Sequence, residues 1–155
     1  MTTSSKRGPN IRHRARRAAV QALYEWQLTA NEPESVVDEL IASGGQGRLD
    51  EKYLRELVLG TVNAVNKLDD ALKPHLDREI ADVDPVERAV LRLGAYELVH
   101  RIEVPLRVVI NEGVELAKTF GAEDGHKYVN GVLDKLARTV RPEAKLDTRP
   151  RSAKR

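Results

Sequence analysis

The sequence predicts an all-α fold of about seven helices, and three observations carry that reading. Apolar residues recur every three or four positions through each patterned segment. Strand-like alternation survives in none of them, and no internal repeat is evident. The breaks fall at Asn, Asp, Gly and Pro residues, the types that start and stop helices.

The first helix opens at Asn10, a plausible N-cap, and runs to about Thr29, with Ala15, Ala19, Leu23 and Trp26 on one face. Asn31 to Pro33 breaks it. A short helix over about 34–42 turns Val37, Leu40 and Ile41 inward, and the Ser-Gly-Gly-Gln-Gly run at 43–47 is a loop. Asp50 caps a third helix, where Tyr53, Leu57, Thr61 and Ala64 share a face and Leu54, Val58 and Val65 lie beside it. A short segment over about 68–76 is interrupted by Pro74.

The second half is better punctuated. Asp84-Pro85-Val86-Glu87 supplies an N-cap acid, a proline at the first helical position and a glutamate at the third. Val86, Val90, Leu93 and Leu98 make that helix core-facing to about Arg101. Pro105 starts the next, with Val109, Gly113, Leu116 and Phe120 on one face and Gly121 as a C-cap glycine. Glu123 or Asp124 opens the last, whose stripe is Val129, Val132, Leu133, Leu136 and Val140. The expected organisation is a disordered arm over 1–10, a helical domain over 11–140 with subdomains of about 11–76 and 77–140, and a disordered basic tail over 141–155. The Gly/Gln loop near 45 and the stretch 77–83 are the expected seams.

Charge is segregated. The chain of 155 residues carries a net +2, yet residues 1–17 hold +6 and residues 141–155 hold +4, which leaves −8 for 18–140. A basic segment is the footprint of a polyanion partner, and an acidic body suits a basic protein as a second partner. Arg12 and Arg16 are four apart, and Arg14 and Arg17 three apart, at the start of a helix. Like charges at those spacings and cations near a helix N-terminus both work against the helix, so a bound anion is the economical explanation. A solubilising charge run is the plainer alternative, and RNA, DNA and a membrane surface remain open at this point.

Other classes are excluded or unsupported. The chain has no cysteine, hence no disulfide and no thiolate site. No run approaches the length of a spanning helix, and the first residues contain no apolar signal core, so the cytoplasm is the simplest expectation. His13, His75, His100 and His126 show no four-residue pairing, so no metal site is expected. There is no Gly-rich nucleotide motif, and no cofactor is expected.

The densest polar stretch is Gly121 to Gly131, a turn and helix start holding Glu123, Asp124, His126, Lys127, Tyr128 and Asn130. A hydrolase would need a second carboxylate or nucleophile across a pocket, and none pairs with it. A capping turn joining two helices is its bland reading. Tyr24 lies off the centre of the first apolar stripe, which fits either a core edge or a surface contact. Glu87 is explained by capping alone.

Four stretches resemble one family. They are RARRAAVQALYEWQL (14–28), VERAVLRLGAYEL (86–98), VPLRVVINEGVELAKTFGAEDGHKYVNGVLDKLA (104–137) and the Arg141-Pro142 that follows. Together they resemble the NusB family of bacterial transcription antitermination factors, over nearly the whole patterned region. The resemblance implies seven helices in two perpendicular subdomains and no catalysis. It implies binding of single-stranded boxA RNA together with NusE, a small-subunit ribosomal protein. It further implies indirect association with other Nus factors and RNA polymerase, and suppression of Rho-dependent termination, notably on ribosomal RNA operons. Either a monomer or a homodimer fits, with no membrane partner.

Carried over by motif, the RNA-binding residues are Arg12, Arg14, Arg16, Arg17, Glu123, Asp124, Lys127 and Tyr128, and the NusE-facing residues are Tyr24 and Glu87. His13 stands where relatives often have arginine, and Tyr128 where phenylalanine is common; a tyrosine still stacks on a base. NusB-like domains also occur as appendages of ribosomal RNA cytosine methyltransferases. In this sequence no Rossmann-like segment accompanies the helices and no cysteine is present to attack a cytosine ring, so a non-enzyme is expected.

Overall fold

The computed structural model describes residues 2–143, with side chains from 11 to 143. Seven α-helices lie among them: α1 (Thr2–Thr29), α2 (Pro33–Ser43), α3 (Glu51–Asn63), α4 (Val65–Leu72), α5 (Pro85–His100), α6 (Leu106–Phe120) and α7 (Gly125–Val140). Two short 3-10 turns, Lys73–His75 and Ile80–Asp82, separate α4 from α5. No strand occurs among the described residues. The chain divides between Ala64 and Val65 into two compact units.

In the first unit α1, α2 and α3 pack on one another. Ala15, Ala18, Ala19 and Ala22 form a small-residue face on α1 that lets α3 approach closely, and Leu23, Val36, Val37, Leu54, Leu57 and Val58 fill the space between. Asp50 caps α3 as expected, accepting from the Tyr53 N–H at 3.0 Å. In the second unit α5, α6 and α7 are mutual neighbours, and α4 lies on α5. The Leu133 side chain fills the space above Gly94 and Gly113, where an added Cβ would come within 2.9 Å and 2.8 Å of it. Arg92 holds α4 to α5 by a two-pronged grip on Asp69 at 2.9 Å and 2.8 Å. The Asp84 carboxylate accepts from the N–H groups of Val86 and Glu87, so the start read from sequence is the start observed.

Six expectations are corrected. The first helix begins at Thr2, so Asn10 is not its cap; once a helix is nucleated, each added residue gains a hydrogen bond without a new nucleation cost. The helix expected to carry Ala64 and Val65 breaks there, and the division expected between 76 and 77 falls at this break. Leu68 and Leu72 are buried in the second unit, so α4 belongs with α5. The loop near 45 lies inside the first unit. Gly121 does end α6, but with extended φ −94 rather than a left-handed turn; glycine is needed there because a Cβ would meet the Ala117 carbonyl oxygen at 2.7 Å. Arg141 was expected in the tail and is instead buried in the fold, while residues 144–155 of that tail lie outside the described residues.

Arg141 directly follows α7 and reaches the far end of α5. Its guanidinium donates to the carbonyls of Leu98 (3.0 Å), Val104 (2.6 Å), Glu97 (3.0 Å) and Arg101 (3.0 Å). The last carbonyls of a helix have no partner within it, and one planar fork with five donors satisfies several at once. Burial lowers the Arg141 pKa from its ordinary value, partly offset by Glu103 and Glu97.

Candidate nucleic-acid interface

The arginine-rich turn of α1 lies against the start of α3 within the first unit. The Arg12 guanidinium sits 4.1 Å from the Tyr53 ring centroid and 4.0 Å from the Asp50 carboxylate. Arg14 donates to the Arg48 carbonyl at 2.9 Å. The backbone is tied there too, since the Asp50 N–H donates to the Ile11 carbonyl at 3.3 Å. Arg12, His13 and Arg14 are half-buried, and Arg17 is exposed. The segment 48–53 therefore orients Arg12 and Arg14 while leaving part of each open.

Arg16 departs from the expected set. Its side chain is only 5% exposed, and its guanidinium lies 5.6 Å from the same Tyr53 ring. The guanidinium is thus largely enclosed where α1 meets α3. It shares a face with Arg12 in the sequence pattern, but the approach of α3 covers it. Tyr24 is 38% exposed and Leu28, one turn further, 54%. Tyr24 is thus partly open to solvent on the surface of the first unit.

The polar turn lies in the second unit. Asp124 is the N-cap of α7 in a left-handed conformation, φ 74, and its side chain caps nothing. Its carboxylate faces Lys127 Nζ at 3.5 Å instead. Glu123, Asp124 and Lys127 are exposed and Tyr128 is half-buried. The Tyr128 hydroxyl accepts from the Asp77 N–H at 3.4 Å, and the Arg78 guanidinium lies 4.9 Å from its ring centroid. Burial raises the Tyr128 pKa, so the phenol stays neutral.

Asp77 and Arg78 complete this cluster and escaped sequence reasoning. Arg78 grips the Asp77 carboxylate with Nε at 2.6 Å and Nη2 at 2.9 Å. That fork holds the Asp77 pKa down to about 2. Only a basic residue after the interrupted 68–76 segment hinted at it, and the sequence does not say that this stretch meets the start of α7.

Glu87, expected on the NusE-facing side, is 7% exposed. Its carboxylate lies directly against Gly125 at the start of α7. Desolvation raises its pKa, Asp84 raises it further, and Arg78 opposes them. Glu87 supports the polar turn from beneath.

The comparisons with known proteins come to the same architecture. A sequence model of the NusB family matches residues 13–138. The chain belongs to the NusB family. It is 51% identical over 130 residues to the transcription antitermination protein NusB of Shewanella frigidimarina, covering 84% of this chain and 97% of the relative. It is 49% identical over 143 residues to the NusB of Alcanivorax borkumensis, covering 92% and 95%. Among solved structures, NusB of T. maritima superposes with a TM-score of 0.77 at 29% identity, over 87% of this chain and 96% of the other. A crystal structure of the antitermination factors NusB and NusE in complex with double-stranded RNA gives 0.76 at 30% identity, over 82% and 96%. The seven helices of the described residues thus form the NusB fold.

Proposed function

We propose that this chain is a non-catalytic, cytoplasmic antitermination factor that binds boxA RNA together with NusE. Through them it acts on RNA polymerase to suppress Rho-dependent termination, notably in ribosomal RNA operons. The observation that carries this reading is the match to a NusB solved with both NusE and RNA, at 30% identity and a TM-score of 0.76. No helix among the described residues is long and apolar enough to cross a membrane.

In this reading Arg12, Arg14 and Arg17 contact phosphates, since such contacts are charge-driven and need open guanidinium groups. Lys127 adds a further cation. Glu123 and Asp124 can accept from exocyclic amines of unpaired bases, and Tyr128 offers a ring for stacking. Tyr24, with Leu28, is the NusE-facing surface of the first unit. Arg16 and Glu87 act by holding these segments in place. RNA and NusE each raise the other's affinity for the shared scaffold.

Fluorescence anisotropy with boxA RNA, a scrambled strand and a duplex, with and without purified NusE, tests the reading. A preference for boxA that strengthens with NusE supports it. Equal, salt-sensitive binding to all three RNAs, unchanged by NusE, overturns it in favour of an electrostatic tether. A chain that binds NusE and no RNA is a protein-interaction module.

A further inference from the structure

We infer that Arg78 is a base-stacking contact, the outer layer of a platform whose inner layer is the Tyr128 ring. The inference rests on the RNA-binding reading above and adds a residue to it. Three observations converge on Arg78. Its guanidinium lies over the Tyr128 ring with 4.9 Å between guanidinium carbon and ring centroid. Asp77 grips it along one edge through Nε and Nη2. Its side chain nevertheless stays 45% exposed.

A guanidinium is flat. With one edge held by a carboxylate and a phenol ring 4.9 Å to one side, its partly exposed plane is open to whatever stacks there. Arginine planes stack on unpaired bases as aromatic rings do. The Tyr128 hydroxyl is itself tethered to the Asp77 backbone at 3.4 Å, so ring, guanidinium and carboxylate form one ordered unit.

The Asp77 carboxylate also dictates the kind of contact. Arg78 and Asp77 together are close to neutral, so the pair offers little net attraction to phosphate. Arg78 then contributes by planarity rather than by charge. This distinguishes it from Arg12, Arg14 and Arg17, whose contribution to RNA binding is a salt-dependent one.

The experiment compares Arg78→Ala, Arg78→Lys and the triple variant Arg12→Ala/Arg14→Ala/Arg17→Ala. Binding of the full chain to fluorescein-labelled single-stranded boxA RNA, and to the same sequence as a duplex, is measured across a salt series. Circular dichroism melts confirm that each variant is folded. Both Arg78 variants are expected to bind the single strand about tenfold more weakly, with the salt slope unchanged and duplex binding unchanged. Lysine keeps the charge and loses the plane, so its failure to rescue is the signature. Wild-type affinity in Arg78→Ala overturns the inference, and so does full rescue by Arg78→Lys. If the triple variant weakens binding while the Arg78 variants do not, the RNA reading stands and the platform falls. If the wild-type chain binds no RNA, both fall.

Discussion

Gly125 lies so close to the Glu87 carboxylate that a Cβ on residue 125 would collide with Oε2. This contact joins the first turn of α5 to the first turn of α7, and the polar turn with Asp124, Lys127 and Tyr128 rests on it. Gly125→Ala is therefore expected to destabilise the fold by about 1–3 kcal/mol, the usual cost of overpacking. Combining it with Glu87→Ala is expected to cost less than the sum of the two changes, because the second removes the obstacle to the first. Urea denaturation of the two single variants and the double variant checks this, and strict additivity would contradict it.

Glu87 also has a pH signature. Burial raises its pKa above the ordinary carboxylate value, so the folded chain binds this proton more tightly than the unfolded chain. The sign follows: as pH rises from the unfolded value of 4.5 through the raised folded value, this group takes stability away. Glu87→Gln is expected to flatten that decline, gaining on the wild type as pH rises through this window. Chemical denaturation of both proteins from acid to neutral pH measures the difference. Parallel curves would show that the carboxylate is not desolvated.

Arg141→Ala is expected to cost about 2–4 kcal/mol, since carbonyls at the end of α5 and in the turn before α6 lose a charged donor. Lysine should recover only part of this, because an ammonium cannot match the spread of a planar fork. Thermal melts of Arg141→Ala and Arg141→Lys test both statements.

Arg16 and its neighbours should separate cleanly. Alanine at Arg12, Arg14 or Arg17 is expected to weaken RNA binding and to lower the salt slope by about 0.7 per lost contact. Arg16→Ala is expected to leave the slope unchanged and instead lower stability by about 1–2 kcal/mol, through loss of the contact with the Tyr53 ring. Anisotropy across a potassium chloride series, paired with urea melts, reads both quantities. A slope change in Arg16→Ala would place it at the phosphate surface after all.

Tyr24→Asp is expected to weaken NusE binding at least fivefold while leaving the helical content intact, since Tyr24 is 38% exposed and a carboxylate there can reach water. Isothermal titration with NusE, beside a circular dichroism spectrum, measures each part. Unfolding of the variant would return Tyr24 to the core edge.

Much of the fold was legible because its signals are local. Asp50 and Asp84 cap the helices they were read as capping, and Pro85 and Pro105 stand at or just before the first turns they were read as starting. A cap or an apolar stripe involves residues within a turn or two of one another, so a short window contains all the information. The break at Ala64 was missed because no glycine or proline marks it, and the apolar spacing runs straight through.

The candidate site was legible as a set of charged and aromatic residues, and not as an arrangement. Arg12 and Arg16 are the same residue type one helical turn apart, yet one stays half-open while α3 covers the other. Glu87 reads as an ordinary first-turn acid until the start of α7 closes over it. Arg78 has no distinguishing neighbour in the sequence, and becomes a candidate only where Tyr128 lies beneath it. The sequence alone settled which residues carry charge, which faces are apolar and where most helices start. Tertiary packing alone decided which charges remain in water, because desolvation depends on segments far along the chain, and no local pattern records what will come to lie against a side chain.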